Sequence, residues 1–124
     1  MQTTVLSFNI SAAHMPALHA AAAQVNADVN TVVPADFSQS VGALLGILPR
    51  RKEICLAPFG EEMIVMAGFE RAQMETFLDI LKSKGVVIPY KAMLTPTNLS
   101  WQCDALMEAL RQEHEQIKRM REKP

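Results

Sequence analysis

Met63-Ile64-Val65-Met66-Ala67 is apolar at every position. Successive side chains of a strand point to opposite faces, so a strand with one wet face alternates apolar and polar residues. A strand that does not alternate has both faces covered. This stretch therefore predicts a central strand inside a layered fold. A two-layer sheet leaves one face bare, and three covers are on offer: a short helix over residues 37–48, the C-terminal helix, or a second subunit.

The same stretch has a counterpart upstream. With a shift of 59 positions, Val5-Leu6-Ser7-Phe8-Asn9-Ile10 lies over Ile64-Val65-Met66-Ala67-Gly68-Phe69, Met15 over Met74, Leu18 over Phe77 and Ala22 over Leu81. Each copy reads as a short apolar strand, a turn, a helix of about 13 residues and a second β-rich run, at 29–33 and 86–90. The chain is thus expected to be a single domain, 1–124, with repeat halves at about 3–34 and 62–94. The fold class is α+β. Tandem βαβ halves predict a ferredoxin-like split-βαβ sheet, with an extra short helix and a long C-terminal helix; a small three-layer α/β sandwich is the alternative.

Local signals support the helices. Met74, Phe77, Leu78 and Leu81 share one face of the second-copy helix, and Phe69 with Met74 forms a hydrophobic staple, as do Ile10 and Met15. Gly85 after Lys82 and Lys84 is a helix stop. Pro16 moves the start of the first-copy helix towards His14 or kinks the helix there. Phe37, Val41, Leu44, Leu45 and Leu48 keep helical spacing up to Pro49, and 54–56 is a candidate short strand. Thr95 with Pro96 predicts a final helix over about 96–121, carrying a heptad-like seam of Leu99, Cys103, Leu106, Leu110, Glu113, Ile117 and Met120. Beyond Arg111 that helix is mostly charged, and its final turns are expected to project from the body or fray.

Composition narrows the function classes. The chain has 124 residues, 49% hydrophobic and 20% charged, with a net charge of -1. That is enough apolar material for a core. Residues 1–49 hold only Asp28 and Asp36, and the first cation is Arg50. So neutral a half points to core or interface, and a partner subunit or other protein is expected there, with the alanine-rich helix around Ala17 and residues 20–23 as the first place to look. The apolar run at 41–48 is far short of the roughly 20 residues of a membrane span. The start shows no charged export signal, and two lone cysteines fit reduced thiols, so the expected location is cytoplasmic. No basic stretch marks a nucleic-acid surface, and Phe8 alone does not make an aromatic RNA-binding sheet.

The densest polar cluster runs from Lys91 to Trp101. It carries Lys91, Thr95, Thr97, Asn98 and Trp101 from a strand end into a helix start, where free N–H groups and a nearby ammonium favour an anion. Thr95 and Asn98 are also the residue types that capping alone requires. His14, His19 and His114 lack partners at metal-ligand spacing, so neither a metal nor another cofactor is expected. Neither cysteine has a nucleophile signature, which leans the reading away from an enzyme. Glu61-Glu62 beside Gly60 reads as a solvated turn.

Glu62-Met63-Ile64-Val65-Met66-Ala67-Gly68-Phe69, followed by the Lys-Ala-x-x-Thr-x-x-Asn-x-x-Trp spacing from Lys91 to Trp101, resembles the bacterial "domain of unknown function 3783" family over roughly residues 60–112. The resemblance implies a small bacterial α/β domain and brings no activity, cofactor or site residue with it. Two readings of function follow from the residues themselves. One is a non-catalytic self-association or protein-interaction module; the other is a small-anion or metabolite sensor at Lys91 and 95–98.

Overall fold

The computed structural model describes residues 2–122. Its elements run β1 (Thr4–Phe8), α1 (Met15–Gln24), β2 (Asp28–Thr31), a 3-10 turn (Pro34–Asp36), α2 (Val41–Leu44), β3 (Met63–Ala67), α3 (Arg71–Ser83), β4 (Tyr90–Met93) and α4 (Cys103–Glu122). The four strands form one mixed sheet in the order β2-β1-β3-β4. The outer pairs are parallel and the central pair, β1 with β3, is antiparallel.

The central register makes the repeat a symmetry. Leu6 lies opposite Val65, and these two residues are also 59 positions apart, so a local two-fold passes between them. The backbone repeats with them. Asn9 (φ 58°) and Gly68 (φ 75°) turn the chain out of β1 and β3, while Asn26 (φ 56°) and Gly85 (φ 75°) end α1 and α3. Matching bonds close both helices, Ala27 N–H to Ala22 O (2.9 Å) and Val86 N–H to Leu81 O (3.0 Å).

Both faces of the sheet are covered. Val5, Ile64 and Met66 pack on one side with Leu18, Ala21 and Ala22 of α1 and Phe77 and Leu81 of α3. Leu6, Phe8, Met63 and Val65 pack on the other with Phe37, Val41 and, from α4, Cys103, Leu106 and Met107. Phe37 stacks on Phe59 (4.5 Å between centroids) and both rings meet Phe8. β1 and β3 are buried at every residue because strand alternation feeds two cores.

The α+β class and the two βαβ halves are observed; the ferredoxin-like splitting is not. In a split unit another strand lies between the two parallel strands, whereas β2 is the direct neighbour of β1, and β4 of β3. The layering is that of the three-layer alternative. The helix expected over 37–48 contracts to α2, because Ser40 leaves the helical path (ψ 155°) and caps Ala43 N–H through its side chain. Buried Gln39 meanwhile turns to brace the connector, donating to Arg51 O (2.7 Å) and accepting from Arg51 N–H (2.8 Å). The final helix begins at Cys103 rather than 96. The carbonyls of Leu99 and Trp101 are taken by the N–H groups of Gly42 and Val41, while Gln39 O and Phe37 O cap Cys103 and Asp104. The two loops thus interlock. Residues 54–56 form no strand, and β4 starts at Tyr90, with Val86 and Ile88 buried before it. Beyond Arg111, α4 is exposed at every described position.

The two helix-ending positions give a paired test. Gly85→Ala puts a Cβ on a left-handed backbone and should cost about 1–2 kcal/mol. Asn26→Gly relieves the same conformation in the first half and should leave stability within about 0.5 kcal/mol of the parent. Urea unfolding of both variants checks the equivalence.

Candidate functional site

Strand alternation runs back past the start of β3 and sorts two neighbouring carboxylates to opposite layers. Glu62 reaches the α1 side, where it accepts from Ser11 N–H (2.9 Å) and sits 2.8 Å from His14 Nδ1. A carboxylate only accepts, so this bond requires the proton on Nδ1. Glu61 reaches the α4 side and takes a two-point clasp from Arg111, at 2.5 Å from Nε and 2.7 Å from Nη2; Arg111 Nη1 also donates to Glu108 (3.0 Å). Asn9, in its left-handed turn, ties this end of the sheet together by donating to Phe59 O and Glu61 O. The pair read from sequence as a solvated turn therefore latches each helical layer to the sheet. The missed signal was the period-2 alternation running back from Met63.

Arg111 holds the Glu61 carboxyl well below its ordinary value, at about 2, chiefly through the side-chain hydrogen bond. The guanidinium is raised in return, first by Glu61 and then by Glu108. One turn further along α4, the His114 ring lies against Tyr90 (4.7 Å between centroids). Burial, then the nearby Asp104 charge, pushes the Cys103 thiol up to about 12, so it is an inert core group.

The sequence-predicted site residues fall in three places. Lys91 lies on the face of β4 that turns towards α3, since Tyr90 and Ala92 pack on the opposite core. Its Nζ donates to Ile88 O (3.2 Å). Thr95 and buried Asn98 satisfy each other: Asn98 Oδ1 accepts from Thr95 N–H (2.8 Å) and Thr95 Oγ1 from Asn98 N–H (3.1 Å). Asn98 Nδ2 then donates to Met93 O (2.9 Å). These residues close a turn, and Thr97 is exposed upon it. Trp101 is 39% exposed and flanks a shallow depression with Gln102 and Ala105. Lys91 instead lines a cleft of about 280 Å³ whose wall contains none of the other four.

Among the described residues no helix is long and apolar enough to cross a membrane, and no group of three His, Cys, Asp or Glu is placed to hold a metal ion. Residues 62–117 match the family model of a domain of unknown function, DUF3783. The matched segment takes in β3, α3, β4 and most of α4. It supplies two of the four strands; β1, which covers the other edge of β3, lies outside it, as does Glu61. Neither the curated proteins nor the solved structures yield a match.

Two measurements check the site chemistry. Arg111 favours the charged carboxylate, so the contribution of Glu61 to stability is complete above the ordinary carboxylate range and is lost as pH falls towards about 2. Both side chains are more than a third exposed, 35% and 38%, which screens the pair to about 0.5–1 kcal/mol. Glu61→Gln should be less stable than the parent by that amount at neutral pH, with the gap narrowing below the ordinary carboxylate range and closing as pH falls through about 2, in urea unfolding at each pH. With a thiol reagent at mildly alkaline pH, half-buried Cys55 should label in the folded protein and Cys103 only after denaturation.

Proposed function

We propose that this chain is a non-catalytic, cytoplasmic protein-docking module that pairs with a second copy along the β2 edge of its sheet. The observation that carries the reading is an apolar strip beside that edge. Cys55 N–H donates to Ala35 O (3.0 Å), which lays 54–56 alongside 33–35. Val33 is 53% exposed, Ile54 66% and Leu56 94%. Large apolar side chains gathered in this way mark contact surfaces.

The strand itself supports a copy as the occupant. β2 has one neighbour among the described strands, and the N–H groups of Asp28 and Val32 donate towards it, to Thr3 O and Ser7 O, so the alternate N–H groups of Val29 and Thr31 point away from the sheet. Its sole charge is Asp28. Protected edges commonly carry lysine or proline within the strand; this one has neither. In a two-fold antiparallel pair of β2 strands centred on Asn30, Val29 of each copy falls opposite Thr31 of the other and Asp28 opposite Val32, which avoids like charges face to face. The neutral first half is in part spent on the two cores: Leu18, Ala21 and Ala22 of α1 are buried. The unpaired cysteines fit a reducing compartment.

Anion capture by Lys91 together with Thr95, Thr97, Asn98 and Trp101 is the weaker reading, since the turn residues already satisfy one another.

Sedimentation velocity over a dilution series tests the proposal. The parent should shift from monomer to dimer with concentration, and Ile54→Ser with Leu56→Ser should stay monomeric with an unchanged circular dichroism spectrum. A parent that is monomeric throughout removes the reading.

A further inference from the structure

The two halves depart from their symmetry at one link. Asn26 and Gly85 stand 59 positions apart, whereas the first residues of β2 and β4, Asp28 and Tyr90, stand 62 apart. The second half therefore carries three extra residues between helix and strand. The cleft of about 280 Å³ opens at this insertion, where Val86, Val87 and Ile88 contribute one wall.

The floor is apolar, with Ile64 of β3 and Leu81 of α3 beneath it. The polar groups are Asp79, Lys82 and Lys91. At the symmetry-related positions the first half has Ala20, Ala23 and Val29. So the same architecture is neutral and small-chained in one copy, and enlarged and charged in the other. Backbone anchoring of Lys91 through Ile88 O ties its ammonium to the inserted loop.

We propose that this cleft binds a small amphipathic monocarboxylate, its short hydrocarbon part on the apolar floor and its carboxylate between Lys82 and Lys91. Two ammonium groups and one carboxylate leave a single net positive charge. That balance suits one carboxylate and disfavours a dianion such as phosphate, which Asp79 repels. The apolar floor gives no partner to a strongly hydrated polar body.

Octanoate below its micellar range is the probe, titrated calorimetrically into the full chain. One-to-one saturable binding is expected, with Lys82→Ala and Lys91→Ala each weakening it about tenfold. Val87→Glu, at a position 67% exposed on the cleft lip, should abolish it without disturbing the fold. 1-Octanol and inorganic phosphate are the controls and should bind at least tenfold more weakly. Absence of saturable octanoate binding overturns the proposal. So does equal affinity for octanol or phosphate, or an affinity indifferent to both lysine variants.

Discussion

Two neighbouring strands buried on both faces impose the rest of this architecture. β1 and β3 present no wet side, so their apolar residues must find partners in one of two layers. Pairing them antiparallel through Leu6 and Val65 puts equivalent residues of the two halves in contact. It also sends both connecting helices, α1 and α3, to the same face. That choice leaves the second face without a cover from either repeat. The chain supplies one from outside the repeats, using α2 and the first turns of α4, and stitches them by exchanged backbone bonds between residues 37–42 and 99–104.

The same alternation explains the charged end of the sheet. Glu61 and Glu62 are consecutive, yet one serves α4 and the other α1, because residues entering a strand already point to opposite sides. It also explains why Lys91 is set apart from the turn that follows it. Lys91 faces the α3 layer, while Tyr90 and Ala92 face the α4 layer. Sequence proximity from Lys91 to Trp101 described a single cluster; the strand's pleat divides it.

Elements that depend on local pattern were legible from the residues. The apolar β3 stretch, the 59-residue repeat, the stop at Gly85 and the displaced start at His14 all arise from periodicity, backbone conformation or a proline, and all are observed. Strand order was not legible, since split and unsplit βαβ units share the same local signals. The short helix failed for a different reason. Phe37, Val41 and Leu44 keep helical spacing, but the intervening Gln39 and Ser40 are committed to long-range bonds with Arg51 and Cys103 and to a cap, which no local window contains. Thr95 and Pro96 likewise look like a helix start, whereas the carbonyls that a helix needs internally at Leu99 and Trp101 are held by the other loop.

Symmetry offers a physical criterion for separating scaffold from function in a duplicated fold. Features that recur at 59 positions, namely the strand pair, the left-handed turns and the helix-ending bonds, are what each half needs to fold. Features present once are free of that requirement. Three stand out: the Glu62–His14 contact, whose counterpart positions hold Thr3 and Gln73; the exposed strip at 33–35 and 54–56; and the charged cleft made by the insertion before β4. The first is absorbed by holding α1 to the sheet. The other two expose apolar surface that the fold does not use. They also lie at opposite edges of the sheet, beside β2 and beside β4. A copy docked along β2 therefore leaves the β4 cleft uncovered, so pairing and ligand capture are compatible in one molecule.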